Sequence, residues 1–335
     1  MRRAALSIAL LAACSAPPAP PAPVEAPSAR PPAEPSAPLA SASAAAPAAA
    51  AASAAPPEAP PGMLWVPGGT FTMGADKGGQ DDERPAHPVT LRGFFLDETE
   101  VTNEAYGRCV DAGKCRPHDP KSAAVNKLGE DRLYRKPRQP ISAVSWDDAV
   151  AYCAFVGKRL PTEAEWERAA RGDDGRRFPW GDEPPTHERA VFSEGPTAEV
   201  GSRPAGRGPY GHLDLAGNVW EWVADPYDPY AYRRPGAAEG KPGSCDEILE
   251  AQNELRREGR RGFTGTNPIP TECERVLRGG AFNYDGPGLR ASNRVHHAAR
   301  YRLVMSGFRC ANDGPEAGPG APPKDRPEAG PSPSP

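Results

Sequence analysis

Apolar positions recur at helical spacing in three stretches of this chain. In VTNEAYGRCVDAG (101–113), Tyr106, Cys109 and Val110 share one face, Thr102 or Asn103 stands where an N-cap belongs, and Gly113 supplies a stop. In SWDDAVAYCAFVGKRL (145–160), Ser145 is the cap with Asp148 three residues on, and Val150, Cys153 and Val156 form a stripe that ends at Gly157. LPTEAEWERAARG (160–172) follows, with Thr162 and Glu165 as a capping box, Trp166 and Ala169 facing inward, and Gly172 as the stop. The spacing predicts three short helices. Elsewhere Gly and Pro recur too often for long elements, and FTMG, VTLRGFFLD, VWEWVAD and VLRGGAF read as short strands. No repeat of solenoid or propeller period is present. The expectation is an irregular α+β domain.

Composition divides the chain. MRRAALSIALLAAC has a basic head, an apolar run from Ala4 to Ala13 too brief to span a bilayer, and a small-residue pattern ending at Cys14. Leu11-Ala12-Ala13-Cys14 resembles the lipobox of bacterial lipoproteins, which implies acylation of Cys14 and an exported, membrane-anchored product. Ser15 rather than aspartate after the cysteine implies the outer membrane, facing the periplasm or the cell surface. From 15 to 61 the chain is nearly all Pro, Ala and Ser, with only Glu25, Arg30, Glu34 and Glu58 charged, so it reads as a tether unable to bury a core. The tail from 314 to 335 has the same character. Residues 62–313 are left as one domain. A formal charge of −4 with mixed signs gives no basic footprint for nucleic acid.

Without Cys14 the remaining cysteines are Cys109, Cys115, Cys153, Cys245, Cys273 and Cys310. An even number in an exported chain reads as three disulfides. Cys109 with Cys115 is a local pair, Cys245 with Cys273 closes a polar insertion, and Cys153 with Cys310 is then a long-range staple. Zinc is the rival reading, but no CxxC or HxxxH spacing supports it.

Seven blocks in fixed order carry a resemblance: MLWVPGGTFTMG (63–74), HPVTLRGFFLDETEVTNEAY (87–106), PISAVSWDDAVAYCAFVGKRLPTEAEWERAARG (140–172), FPWGD (178–182), YGHLDLAGNVWEWVAD (210–225), RVLRGGAF (275–282) and SGFRCAND (306–313). Together they resemble the formylglycine-generating enzyme family, or sulfatase-modifying factor domains. The resemblance implies a disulfide-stapled fold of the C-type-lectin-like class, low in regular secondary structure, and it supports the Cys153–Cys310 pairing. Family members that generate formylglycine hold Cu(I) on two cysteines in the strip after the GG motif, as soft thiolates do, and oxidise a cysteine in a CxPxR segment. Aligned from Gly279 and Gly280, those positions fall on Tyr284 and Leu289, and the serine that follows GG is Ala281. The resemblance therefore argues against copper and against formylglycine generation.

It also implies a structural calcium at the GNVWEW block, on the side chains of Asn218 and Glu221 and the carbonyls of Ala216 and Val219; hard oxygen ligands suit that ion. A second family calcium site is not expected, because Ala190 stands where its asparagine would fall. Iron oxidases of the same superfamily draw histidines from an added helical domain, whose place here is taken by the tether. His296 and His297 are adjacent and point to opposite faces of an extended segment, one at the surface and one packed. His87, His118, His187 and His212 have no ligand spacing.

The acidic run QDDERPAH (80–87) reads as a solvated loop, since adjacent carboxylates beside proline rarely meet the conditions for acid–base work. Arg278, Arg290, Arg294, Arg300 and Arg302, interleaved with Phe282, Tyr284 and Tyr301, offer planar donors and stacking faces to a ligand, or else pair with surface acids. A candidate ligand groove is thus Trp222, Phe282, Tyr284, Leu289, Arg290 and Arg294. Two readings remain: a non-catalytic module binding a peptide, glycan or exported protein, and an oxidoreductase with metal ligands not yet recognised.

Overall fold

A computed structural model describes residues 57–125, 127–241, 243–258 and 272–315. The expected signal peptide, Cys14, most of the tether and all but the first two residues of the tail lie outside the described residues. Among the described residues no helix is long and apolar enough to cross a membrane.

Among the described residues, three small sheets organise the domain. Strands β1 (Met63–Val66), β4 (Phe94–Asp97) and β9 (Ala311–Asp313) form an antiparallel sheet with β4 in the middle. Strands β2 (Gly69–Met73) and β3 (His87–Leu91) pair antiparallel. The largest sheet has the order β7 (Val295–Ala298), β6 (Glu274–Arg278), β5 (Trp220–Pro226), β8 (Ser306–Gly307), with β8 parallel to β5. The run VTLRGFFLD, expected as one strand, is split between two sheets. It breaks at Arg92–Gly93, where a Cβ on Gly93 would collide with the Trp65 indole, so the chain turns where only glycine fits.

The three predicted helices form as α1 (Asn103–Asp111), α3 (Trp146–Phe155) and α4 (Glu163–Arg171). Their caps are the expected ones: the hydroxyls of Thr102, Ser145 and Thr162 accept from the N–H groups of Ala105, Asp148 and Glu165, each at 3.2 Å. Each such cap contributes about 1 kcal/mol. The α3 stripe is rolled from the expected one. Trp146, Ala149, Tyr152 and Cys153 are buried, whereas Val156 is exposed beyond the helix end, because the indole and phenol rings fill more of the core than valine would. Two helices were not expected: a single turn α2 (Ser122–Val125), and α5 (Cys245–Arg257) in the polar insertion, where Ser244 and Glu247 form a capping box.

Strand β5 shows how period-two alternation builds the interior. Trp220 and Trp222 face a core with Tyr106, Trp146, Tyr152, Leu277 and Phe308, while Val223 faces a second with Phe94, Leu96, Trp166 and Val276. Three disulfides join Cys109–Cys115, Cys153–Cys310 and Cys245–Cys273, with Cα separations of 5.3, 5.7 and 5.5 Å. The Cys153–Cys310 bond ties α3 to the residue before β9, 157 positions apart in sequence.

The acidic run 80–87 is not a solvated loop. Asp81–Glu83 form a 3-10 turn in which Asp82 and Glu83 are buried. Glu83 accepts from Arg290 at 2.7 and 2.8 Å and from the Ser292 hydroxyl at 2.7 Å, and Asp82 accepts from the Tyr227 hydroxyl at 2.9 Å. Adjacent acids can be buried here because the strip after Gly280 supplies a guanidinium to receive them.

Candidate functional site

The strip from Arg278 to Arg294 begins where β6 ends. Gly279 and Gly280 have φ of +98° and +85°, and a Cβ on Gly280 would stand 2.5 Å from the Leu289 side chain. The glycine pair therefore lets the strip fold back on itself. Leu289 is fully buried with Phe178, Ala190 and Ala216. Tyr284 sits with 36% of its surface exposed, and its ring meets Trp220 edge-on at 5.2 Å. Of the two positions where the resemblance puts copper-binding thiolates, one is filled by packed hydrocarbon and the other by a phenol.

The arginines of the strip are engaged with protein groups. Helix α4 places Glu163 and Glu167 one turn apart on the same face. Arg278, fully buried, donates to Glu163 at 3.1 Å, to the carbonyls of Ser292 (3.1 Å) and Ala291 (2.8 Å), and to Glu167. Arg294 forms a fork on Glu163 at 2.6 and 3.0 Å and packs its guanidinium 4.7 Å from the Tyr232 ring. Arg290 is held by Glu83 as above. Arg302 binds Asp148 at 2.7 Å, and exposed Arg300 pairs with Glu272. Burial pushes Glu167 towards protonation, but Arg278 and Arg171 outweigh it and hold its carboxyl below the ordinary value.

This corrects the expected groove. Trp222 and Phe282 are buried, Leu289 is core, and Arg290 and Arg294 are buried ion-pair partners. Only Tyr284 of the six reaches the surface. The surface-pair alternative holds for Arg300 with Glu272, whereas the acids that claim Arg278, Arg290, Arg294 and Arg302 are buried.

The calcium expectation meets a divided geometry. Asn218 lies in the left-handed region (φ +59°), a conformation asparagine tolerates, and its Oδ1 accepts from the Ala198 N–H at 3.1 Å. Glu221 points to the other side of β5, where it accepts from Arg309 twice at 2.7 Å and from the Trp166 indole at 2.9 Å. The two side chains bond different protein groups. Near Glu221 stand two acids that the sequence reading did not select. Glu100 is buried with its carboxyl against that of Asp214, and burial together with Asp214 and Glu221 pushes it well up. Asp214, also raised by burial, accepts from the Gly201 N–H at 2.5 Å. Arg309 is the guanidinium bonded to Glu221, so Glu100 and Asp214 are left short of positive charge. Among the described residues no three His, Cys, Asp or Glu side chains converge as a preformed metal cage. The sequence signal available was a carboxylate inside each of two matched blocks, DETEV and YGHLDLAGN.

The histidines are dispersed. His296 stacks on Tyr227 with ring centroids 3.7 Å apart and bonds Glu274, while His297 lies against Tyr301 from the other face of β7; both are half-buried. His212 is fully buried, and burial and Arg309 push it down to about 3.

Residues 48–314 match the family described as the sulfatase-modifying factor enzyme 1-like domain. The chain belongs to the sulfatase-modifying factor family. It is 33% identical over 314 residues to the formylglycine-generating enzyme of Streptomyces coelicolor, covering 75% of this chain and 89% of that enzyme. It is also 33% identical over 262 residues to the serine/threonine-protein kinase Pkn1 of Chlamydia trachomatis serovar L2, covering 75% of this chain but 38% of the kinase. The chain thus spans less than two-fifths of that relative. Among solved structures, PvdO from Pseudomonas aeruginosa superposes with a TM-score of 0.56 at 28% identity, covering 75% of this chain and 94% of PvdO. The sulfatase-modifying factor fold expected from the seven blocks is therefore present.

Proposed function

We propose that this sulfatase-modifying factor domain binds a ligand and does not generate formylglycine. The observation that carries the reading is that all six of its cysteines are halves of disulfides; the resemblance puts the family's thiolate positions at Tyr284 and Leu289. Cu(I) chemistry of the family type needs two free thiolates. The domain is read as exported and held at the cell envelope through acylated Cys14, in the outer membrane, with the stretch to residue 61 as its tether. Its partner is a peptide, glycan or exported protein at the surface around Tyr284. The full chain, given Cu(I), oxygen and a CxPxR peptide, is expected to leave the peptide cysteine unchanged by mass spectrometry. Conversion to the aldehyde would establish the oxidoreductase reading instead. Incorporation of labelled palmitate, abolished by Cys14→Ser, tests the anchor.

A structural calcium is part of the proposal. Two buried carboxylates short of compensating charge are a suitable setting for a hard cation. The residues to hold it are Glu100 and Asp214 beside Glu221, with the expected carbonyls of Ala216 and Val219. Asn218 is spent on the turn.

A further inference from the structure

A half-buried charge ordinarily finds a partner of opposite sign, because its desolvation is otherwise uncompensated. Arg275 in β6 does not. It is half-buried, its guanidinium lies over the Trp146 ring at 3.9 Å from the centroid, and its Nη1 donates to the Ala224 carbonyl at 3.1 Å. Its Nε is enclosed without a partner, which leaves Nη2 as the unbonded, accessible end. Burial pushes the guanidinium down, while Asp225 and Asp147 oppose from beyond ion-pairing distance. Asp225 is already engaged by the Glu163 N–H, and Asp147 is exposed.

The sheet brings two further groups to this arginine. Arg275 is directly opposite His297 in the β6–β7 pairing, so the two side chains share one face with Cβ atoms about 5 Å apart. The chain turns at once after β7: the Tyr301 N–H donates to the Ala298 carbonyl at 2.9 Å, and the Tyr301 ring comes to 5.7 Å from the His297 ring. Tyr301 is 43% exposed. His297 is half-buried, and its ring nitrogens are neither enclosed nor bonded to any described residue. The Arg300 guanidinium lies 5.1 Å from the Tyr301 ring on an exposed pair with Glu272, a kind of pair that water and ligands disturb easily.

These groups define a ligand. Arg275 offers a permanently charged donor. His297, pushed down by burial and by His296, stands as a neutral imidazole with one N–H and one lone pair, which suits a hydroxyl. The ring of Tyr301 suits an apolar C–H face. Asp147 and Asp225 disfavour a second negative charge, so a carboxylate fits better than a phosphate dianion.

We propose that Arg275, His297 and Tyr301 bind a carboxylated sugar ring, a uronate, with its carboxylate on Arg275, a neighbouring hydroxyl at His297 and its C–H face on Tyr301. The site uses none of the residues around Tyr284 and goes beyond the binding reading drawn there. Saturation-transfer NMR of the full chain is run with glucuronate, and with glucose and glutarate as comparison probes. Glucuronate is expected to show saturable transfer to its ring protons, with glucose and glutarate at least about tenfold weaker, as loss of one charge-assisted bond or of the ring contact implies. Arg275→Gln and Tyr301→Ser are each expected to weaken glucuronate binding by at least about tenfold, whereas Tyr284→Ser leaves it unchanged. Because Tyr301 is exposed, its variant keeps the test usable should Arg275→Gln fail to fold. Absence of saturable transfer, equal binding of glucose or of glutarate, full binding in Tyr301→Ser, or loss of binding in Tyr284→Ser would overturn the assignment. The peptide oxidation assay is independent of every one of these results.

Discussion

Arg278→Met tests whether buried charge organises the strip. The wild-type guanidinium makes four hydrogen bonds, two to Glu163 and Glu167 and two to the carbonyls of Ala291 and Ser292. Methionine preserves much of the volume and packing against Trp166, so the loss comes from uncompensated acids and carbonyls. Removing one partner of a fully buried pair costs about 3–5 kcal/mol. With a urea slope of about 2–3 kcal/mol/M for a domain of this size, the unfolding midpoint should fall by about 1–2 M with the disulfides kept oxidised. Glu167→Gln alone leaves Arg278 and Arg171 short of an anion, but retains an oxygen for the Gly74 N–H that Glu167 accepts at 2.7 Å. The double variant should therefore cost less than the sum of the singles by about 1–3 kcal/mol. Acidity adds a second signature. The Glu167 carboxyl is depressed in the folded state, so its contribution is present above the unfolded value of 4.5 and is lost as pH falls through the lower folded value. Glu167→Gln should lose that part of the acid sensitivity. Additive singles, or a cost of Arg278→Met below about 1 kcal/mol, would refute the reasoning.

Asp225 is fully buried, accepts from the Glu163 N–H at 2.7 Å, and is pushed up to about 7 by burial and by Glu163. A raised acid contributes stability at low pH that is lost as pH rises through about 7, so Asp225→Asn should be more stable than wild type by about 2–4 kcal/mol at pH 8. That difference should vanish near pH 4, as denaturant midpoints at both values will show. Leu289→Ala empties a buried site under Gly280 and should cost about 2–5 kcal/mol by the same measurement. Added calcium should raise the wild-type melting temperature relative to EGTA, Asp214→Asn and Glu100→Gln should lose the response, and Asn218→Ala should keep it. A response lost only in Asn218→Ala would return the ligand set to the sequence expectation.

The sequence made three of the helices, their caps and the disulfides legible because each is a local or arithmetic signal: apolar spacing behind a capping hydroxyl, with an acid three residues on in two of the three, or an even number of cysteines. It also made the family legible through blocks that stay in order. Long-range charge was not legible. Nothing in QDDERPAH says that Glu83 will meet Arg290, 207 positions on, or that Glu163 will serve both Arg278 and Arg294. Five arginines near aromatic rings look alike whether they face solvent or acid. The Glu100 and Asp214 pair was hidden for the same reason, since its two carboxylates are 114 positions apart and meet only in the tertiary structure. The groove expectation failed because the resemblance supplied its positions and the burial that decides their use is tertiary.

Strand β4 stands between the first and last strands of the domain. Met63, at the start of β1, is opposite Asp97, and Asp313, at the end of β9, is opposite Phe94. The polypeptide therefore enters at one end of this sheet and leaves at the other. A tug between the two ends acts along the strands, so the cross-strand bonds on either side of β4 resist together and do not open in succession. The Cys153–Cys310 bond next to β9 keeps the last strand from being stripped away.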